Sequence, residues 1–174
     1  MANPVPTLET ERLRMRGFTG DDFPFFRTMW ADAEVTRYIG GKPKSEEQSW
    51  TTFLKMVGHW SVMGFGYWAV EEKTSGALIG EVGFIDYKRP ITPSLKGEPE
   101  IGWVLAPVGF GKGYATEAAL AAVRWGDEHF VGARMSCIID PPHTASLRVA
   151  EKCGFKETAR TRYGGDEIIV LHRG

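Results

Sequence analysis

The 174 residues predict an α/β fold, a mixed and mostly antiparallel sheet of about seven strands with helices on both faces. Two observations carry that expectation. Strand-like runs come in sequential pairs around glycine turns, and runs with helical apolar spacing separate them. The composition agrees, because 43% hydrophobic against 25% charged residues suits a chain that buries a core. A single domain over residues 1–174 is expected.

Arg12–Phe18 alternates polar and apolar residues and predicts a first strand. Thr19–Asp22 reads as a cap before a short helix through Phe23, Phe25, Phe26 and Trp30, with Pro24 tolerated in the first turn. Ser45-Glu46-Glu47-Gln48 is a capping box, and Trp50, Phe53, Leu54, Val57 and Trp60 follow as one apolar stripe expected in the core. Tyr67–Glu72 and Ala77–Tyr87 flank Lys73–Gly76 as an antiparallel hairpin. The polar loop Lys88–Gly97 leads to the strand Glu100–Leu105. Thr116–Phe130 is helical, with Gly132 as its stop. Arg134–Asp140 is a strand, Thr144 caps a short helix to Lys152, and Gly154 closes it. Phe155–Tyr163 and Glu167–His172 form a last hairpin around Gly164-Gly165-Asp166.

Lys plus Arg number 21 against 22 Asp plus Glu, a net charge of −1, which argues against a general nucleic-acid binder. The first eighteen residues carry prolines and charges where a leader needs an apolar run, and no later run approaches the ~20 residues of a membrane span. The expected compartment is the cytoplasm. Cys137 and Cys153 lack CxxC spacing, and the four histidines form no HxxxH pair, so neither a disulfide framework nor a metal site is expected. Both cysteines sit in apolar surroundings and read as structural rather than as acyl carriers.

The stretch Phe110-Gly111-Lys112-Gly113-Tyr114-Ala115-Thr116 joins a strand to a helix. It fits neither a P-loop nor a dinucleotide fingerprint, because the lysine lacks a following Ser or Thr and the third fingerprint glycine is Thr116. Two readings remain on the glycines alone. One is a plain turn. The other is an anion cradle of backbone N–H groups at the positive end of a helix.

Val104–Ala118 resembles the acetyl-CoA-binding motif of the GNAT acetyltransferase superfamily, most nearly that of its Rim-type branch, the ribosomal-protein N-terminal acetyltransferases. The pattern Q/R-x-x-G-x-G/A falls on Phe110, Gly113 and Ala115, with an aromatic residue at the first position as in Rim-type proteins. Ser146–Phe155, Thr7–Phe18 and Gly66–Phe84 resemble further segments of the same family in the same order.

No metal is expected, on the absence of ligand spacing, and the expected state is a monomer or homodimer. The resemblance implies acetyl-CoA as cosubstrate and an amine acceptor, either a peptide N-terminus or a small molecule. It implies that amides of Gly111, Lys112, Gly113, Tyr114 and Ala115, with the Thr116 hydroxyl, hold the coenzyme pyrophosphate. The pantetheine arm would lie against Val104 and Leu105, where the strand parts from Arg134–Asp140. Glu100 is the first candidate base, Glu81 the second and Glu98 the third. Ser146 inherits the role of proton donor to the thiolate, because Ala150 stands where many relatives have tyrosine; helix capping is its competing role. His143 stands where an asparagine often contacts the coenzyme. The loops Asp32–Lys44 and Lys88–Gly97 are expected to line the acceptor site. The departures at Phe110, His143 and Ala150 also fit a non-catalytic CoA-binding protein.

Overall fold

The computed structural model describes residues 5–174; residues 1–4, at the head of the charged N-terminal stretch and of the expected 1–174 domain, lie outside the described residues. The chain runs β1 (Leu8–Glu9), β2 (Leu13–Arg16), α1 (Phe23–Trp30), α2 (Ala33–Thr36), α3 (Glu46–Met63), β3 (Tyr67–Glu72), β4 (Leu78–Ile85) and β5 (Glu100–Leu105). It continues with α4 (Tyr114–His129), β6 (Met135–Ile139), α5 (Thr144–Lys152), β7 (Lys156–Tyr163) and β8 (Asp166–Arg173). Eight strands form one sheet in the order β1-β2-β3-β4-β5-β6-β8-β7. Every neighbouring pair is antiparallel except β5 and β6.

The strand count exceeds the expected seven because β1 is only two residues long, too short to show a period of two. The expected first strand is correspondingly trimmed to Leu13–Arg16, held by Arg16 to Glu71 at 2.6 Å and to Asp22 at 2.7 Å. Asp22 is buried in that ion pair and also accepts from the Thr19 amide at 2.7 Å, so Thr19–Asp22 closes as a capping box on the single 3-10 turn Gly20–Asp22 that leads into α1, while α1 itself takes no side-chain cap.

Both faces of the sheet are covered. Val82, Phe84, Ile101 and Leu105 pack under α4, whose Ala118, Ala119 and Ala122 are fully buried. On the other face Val104, Tyr67 and Ile85 meet Phe26, Met29 and Trp30 of α1 and Phe53 and Met56 of α3. Burial on two faces explains why β4 is a continuous buried run rather than an alternating one.

The capping box at Ser45 forms, with Ser45 Oγ accepting from the Gln48 amide. The α3 stripe is only half right. Phe53, Met56 and Trp60 are buried, whereas Trp50, Leu54 and Val57 are 45%, 49% and 38% exposed. The inward face is set by Ser49, Phe53, Met56 and Trp60, and each exposed residue stands next in chain to one of them, about 100° round the helix. Two helix starts also move. α4 begins at Tyr114 behind Gly113, and His143 rather than Thr144 is the N-cap of α5.

Candidate functional site

Gly111 and Gly113 adopt φ of +70° and +78°, the left-handed region, so glycine is required there by backbone conformation. The turn is fastened from below. Arg12 donates to the Lys112 carbonyl at 2.9 Å and to Glu117 at 2.7 Å, and the Tyr114 hydroxyl bonds Glu72. Tyr114 therefore turns its side chain into the protein and leaves only its backbone to the turn. Among the described residues no acceptor meets the N–H groups from Gly111 through Thr116. They stand at the N-terminus of the 16-residue helix α4, where the peptide dipoles add positive potential.

Beside the turn the sheet opens. β5 and β6 share a single register pair, Glu100 with Ser136, with the Ser136 amide on the Pro99 carbonyl at 3.1 Å. Past Glu100 the β6-facing edge of β5 has no strand partner. A cavity of about 410 Å³ fills the gap, walled by Trp103, Val104 and Leu105, by Phe110, Gly111 and Gly113 to Thr116, and by His143, Ser146 and Val149. Lys112 is not part of that wall.

A second cavity of about 620 Å³ shares Arg37, Tyr38, Ile39, Trp103, Val104, His143 and Ser146 with the first. Strand register brings Glu81, Gly83, Val104, Gly102 and Glu100 to one face, through the pairs Glu81–Val104, Gly83–Gly102 and Ile85–Glu100. Both glutamates line this cavity, in unlike surroundings. Glu100 is held by Arg89 through two hydrogen bonds of 2.8 Å, and Arg89 lies against the rings of Tyr87 and Tyr163. Glu81 is completely buried and accepts one bond, from Trp30 Nε1 at 3.2 Å, while its Oε2 has no partner. Burial pushes the Glu81 pKa up to about 8, against the pull of Lys44, the Trp30 bond and Lys55. Burial also raises Glu100, opposed by Arg89.

Gly102 has a local cause. A Cβ there would lie 1.9 Å from the Tyr67 hydroxyl, which itself sits 3.5 Å from that of Tyr87. Ser146 is buried and does not cap α5. Its Oγ accepts from Trp103 Nε1 at 3.2 Å and lies 2.7 Å from His143 Nε2, and the His143 ring stacks on Tyr38 at 4.5 Å. Burial lowers the His143 pKa, so the ring is neutral at pH 7 and Nε2 can accept the Ser146 proton.

Glu98 is outside both cavities, bound to Arg134 at 2.7 Å and His172 at 3.0 Å, which removes it from the candidate bases. The segment expected as the loop Asp32–Lys44 begins as the short helix α2 and lines the larger cavity through Arg37 to Gly41 and Lys44. Of the 88–97 loop only Arg89 does, while Ile91 and Leu95 pack on Ile168 and Val170. Burial raises the thiol pKa values of Cys137 and Cys153, the latter to about 11, so both are protonated at neutral pH. Tyr67, Arg89, Trp103 and Tyr38 were missed from sequence. Only Arg89 left a signal there, as an arginine in the loop before a strand that opens on a glutamate.

Residues 12–156 match the family pattern of the acetyltransferase (GNAT) domain. The chain is 30% identical to YkkB, an uncharacterised protein of Bacillus subtilis (strain 168), across 98% of this chain and 97% of that one. It is 27% identical to the uncharacterised N-acetyltransferase p20 of Bacillus licheniformis, across 91% and 86%. The crystal structure of an acetyltransferase from Agrobacterium tumefaciens str. C58 superposes with a TM-score of 0.85 at 28% identity, covering 100% of this chain and 97% of that one. The chain belongs to the GNAT acetyltransferase family.

Among the described residues no helix is long and apolar enough to cross a membrane, and no three His, Cys, Asp or Glu side chains cluster as metal ligands.

Proposed function

We propose that the chain is an N-acetyltransferase that moves acetyl from acetyl-CoA to an amine by direct attack in a ternary complex. The carrying observation is the run of acceptor-less amides, Gly111 to Thr116, opening on a cleft that shares its walls with the cavity of Glu81. In this reading those amides hold the coenzyme pyrophosphate, with Thr116 near them on the cleft wall. The free edge of β5 at Val104 and Leu105 takes the pantetheine arm, as an added strand would. Phe110, 43% exposed, flanks the entry, and His143 and Ser146 face it from α5. Lys112 contributes its backbone only.

Glu81 is the base in this reading, in preference to Glu100. Its free Oε2 and a pKa near the working pH suit proton removal, whereas both oxygens of Glu100 are engaged by Arg89. Glu81 takes a proton from the acceptor ammonium, and the freed nitrogen attacks the thioester carbon. The C–S bond breaks after the C–N bond forms. Ser146 protonates the departing thiolate and is restored by the second proton that nitrogen loses. An α-amino acceptor, which the Rim-type resemblance supports, is roughly one-tenth neutral at pH 7, so a base of this strength suffices.

The test is calorimetry with acetyl-CoA, together with mass spectrometry of an amine panel. Micromolar binding with a mass gain of one acetyl group on an amine is expected. Binding without any acetylation would leave a non-catalytic CoA-binding protein, and replacing Gly113 by Val without loss of affinity would remove the turn from the reading.

A further inference from the structure

Lys44 and Lys55 both line the larger cavity, and neither forms an ion pair with a described carboxylate. Each ammonium is carried on an aromatic ring, Lys44 at 3.7 Å from the centre of Trp30 and Lys55 at 5.0 Å from that of Tyr87. Lys44 gives one hydrogen bond, to Thr52 Oγ1 at 3.2 Å, and an ammonium has three to give. Burial holds the Lys44 and Lys55 pKa values down against the pull of Glu81, so an anion brought to either amine would favour its charged form.

The negative charges of the cavity are elsewhere or already used. Glu100 is neutralised by Arg89, and Glu81 carries a proton for much of the neutral range. Asp140 and Asp166 also line the cavity, after β6 and at the start of β8, but neither forms an ion pair with Lys44 or Lys55, and burial and then the charge of Asp166 raise the Asp140 pKa. An acceptor entering as a bare ammonium therefore meets two unpaired like charges beside the proposed base. An acceptor that brings its own anion satisfies them.

We infer that Lys44 and Lys55 form an anion subsite within the acceptor cavity, so that the acceptor is an amine carrying a carboxylate. This rests on the acetyl-transfer reading for the word acceptor, but the subsite itself is a matter of binding. The carboxylate has two sources with the same chemistry. One is the α-carboxylate of a free amino acid, and the other is the side chain of an N-terminal Asp or Glu in a peptide.

The experiment is calorimetry on the protein saturated with CoA, a complex that cannot turn over. Phenylalanine is compared with phenylalaninamide, and Glu-Ala-Ala amide with Gln-Ala-Ala amide. The acid of at least one pair is expected to bind about tenfold tighter or more, the pair identifying the source. Lys44→Met and Lys55→Met should each bring that ratio towards one. Ratios near one in both wild-type pairs would overturn the subsite, whether or not the variants fold. So would a ratio that survives both substitutions, or tighter binding of spermine than of every acid. Failure of the acetyl-transfer reading looks different: no amine is acetylated, yet the acid-to-amide ratio stands.

Discussion

Glu81 and Glu100 lie on adjacent strands, on the same face and in the same cavity, yet their neighbours leave one with a free oxygen and the other with both oxygens engaged. Burial raises both pKa values, but at Glu100 an arginine bonded to both oxygens opposes the rise, while Glu81 has no counter-charge within ion-pair reach and is pushed up to about 8. Glu81→Gln is expected to lower kcat/KM for a peptide α-amine by about 10²–10⁴-fold at pH 8. In the wild type, kcat/KM should climb through pH 8 as Glu81 ionises, a limb to be followed by kinetics between pH 6 and 9.5. The same group leaves a mark on stability. Its folded pKa lies above the unfolded value of 4.5, so its contribution is complete below pH 4.5 and is lost as pH rises to about 8. Urea titrations of Glu81→Gln and wild type should therefore diverge in favour of the variant between pH 5 and 8. Glu100→Gln should behave otherwise. It strands the buried Arg89 charge and should cost about 3 kcal/mol of stability, with the pH limb of the rate kept. Ser146→Ala tests the proton donor: turnover should fall at least tenfold while the dissociation constant of acetyl-CoA changes little, and an unchanged turnover would leave Ser146 as a prop for Trp103 and His143.

Elements with a strong local signal were legible in the sequence, and those defined by their surroundings were not. The capping box, the β3–β4 hairpin and the glycine turn each depend on residues within a few positions of one another. The inward face of α3 and the two-residue β1 depend on what the rest of the chain presents, and both were misjudged. Gly102 shows the same division. A glycine inside a strand marks a close approach, but nothing local in the sequence says that the visitor is the Tyr67 hydroxyl from two strands away. Gly102→Ala should therefore push Tyr67 out of place and destabilise the β3–β4–β5 layer by about 1–3 kcal/mol. Tyr67→Phe in the same chain should recover part of the loss, since the atom at 1.9 Å is removed while the ring carbon at 3.2 Å remains. A thermal-melt double-mutant cycle measures that coupling, and additive losses would show that the two residues do not collide.

At the scale of the molecule the sheet is continuous on paper but nearly divided at β5 and β6, which one register pair joins. The halves stay together through the α4 side, where Ile101 and Leu105 share a core with Met135, Ile139, Ile169 and Leu171. On the other side lies the cleft. The order of elements and the turn made that division readable from sequence through resemblance alone, because no local pattern encodes a missing hydrogen-bond ladder. The charge environment of the cavity was not readable, because Lys44, Lys55, Glu81 and Arg89 come from four separate segments. If acetyl-CoA fills the cleft, it replaces the absent ladder and links both halves. Binding should raise the melting temperature in proportion to ligand, with about 2.7 kcal/mol of stabilisation at a hundredfold excess over Kd. Hydrogen exchange should then slow in β5, in the 111–116 turn and also in β6 and the first turn of α5, on both sides of the gap. Gly113→Val forces a side chain into φ of +78° and should abolish both the melting shift and the added protection. Protection confined to the turn, with β6 and α5 unchanged, would mean that the ligand docks on the helix end without entering the cleft.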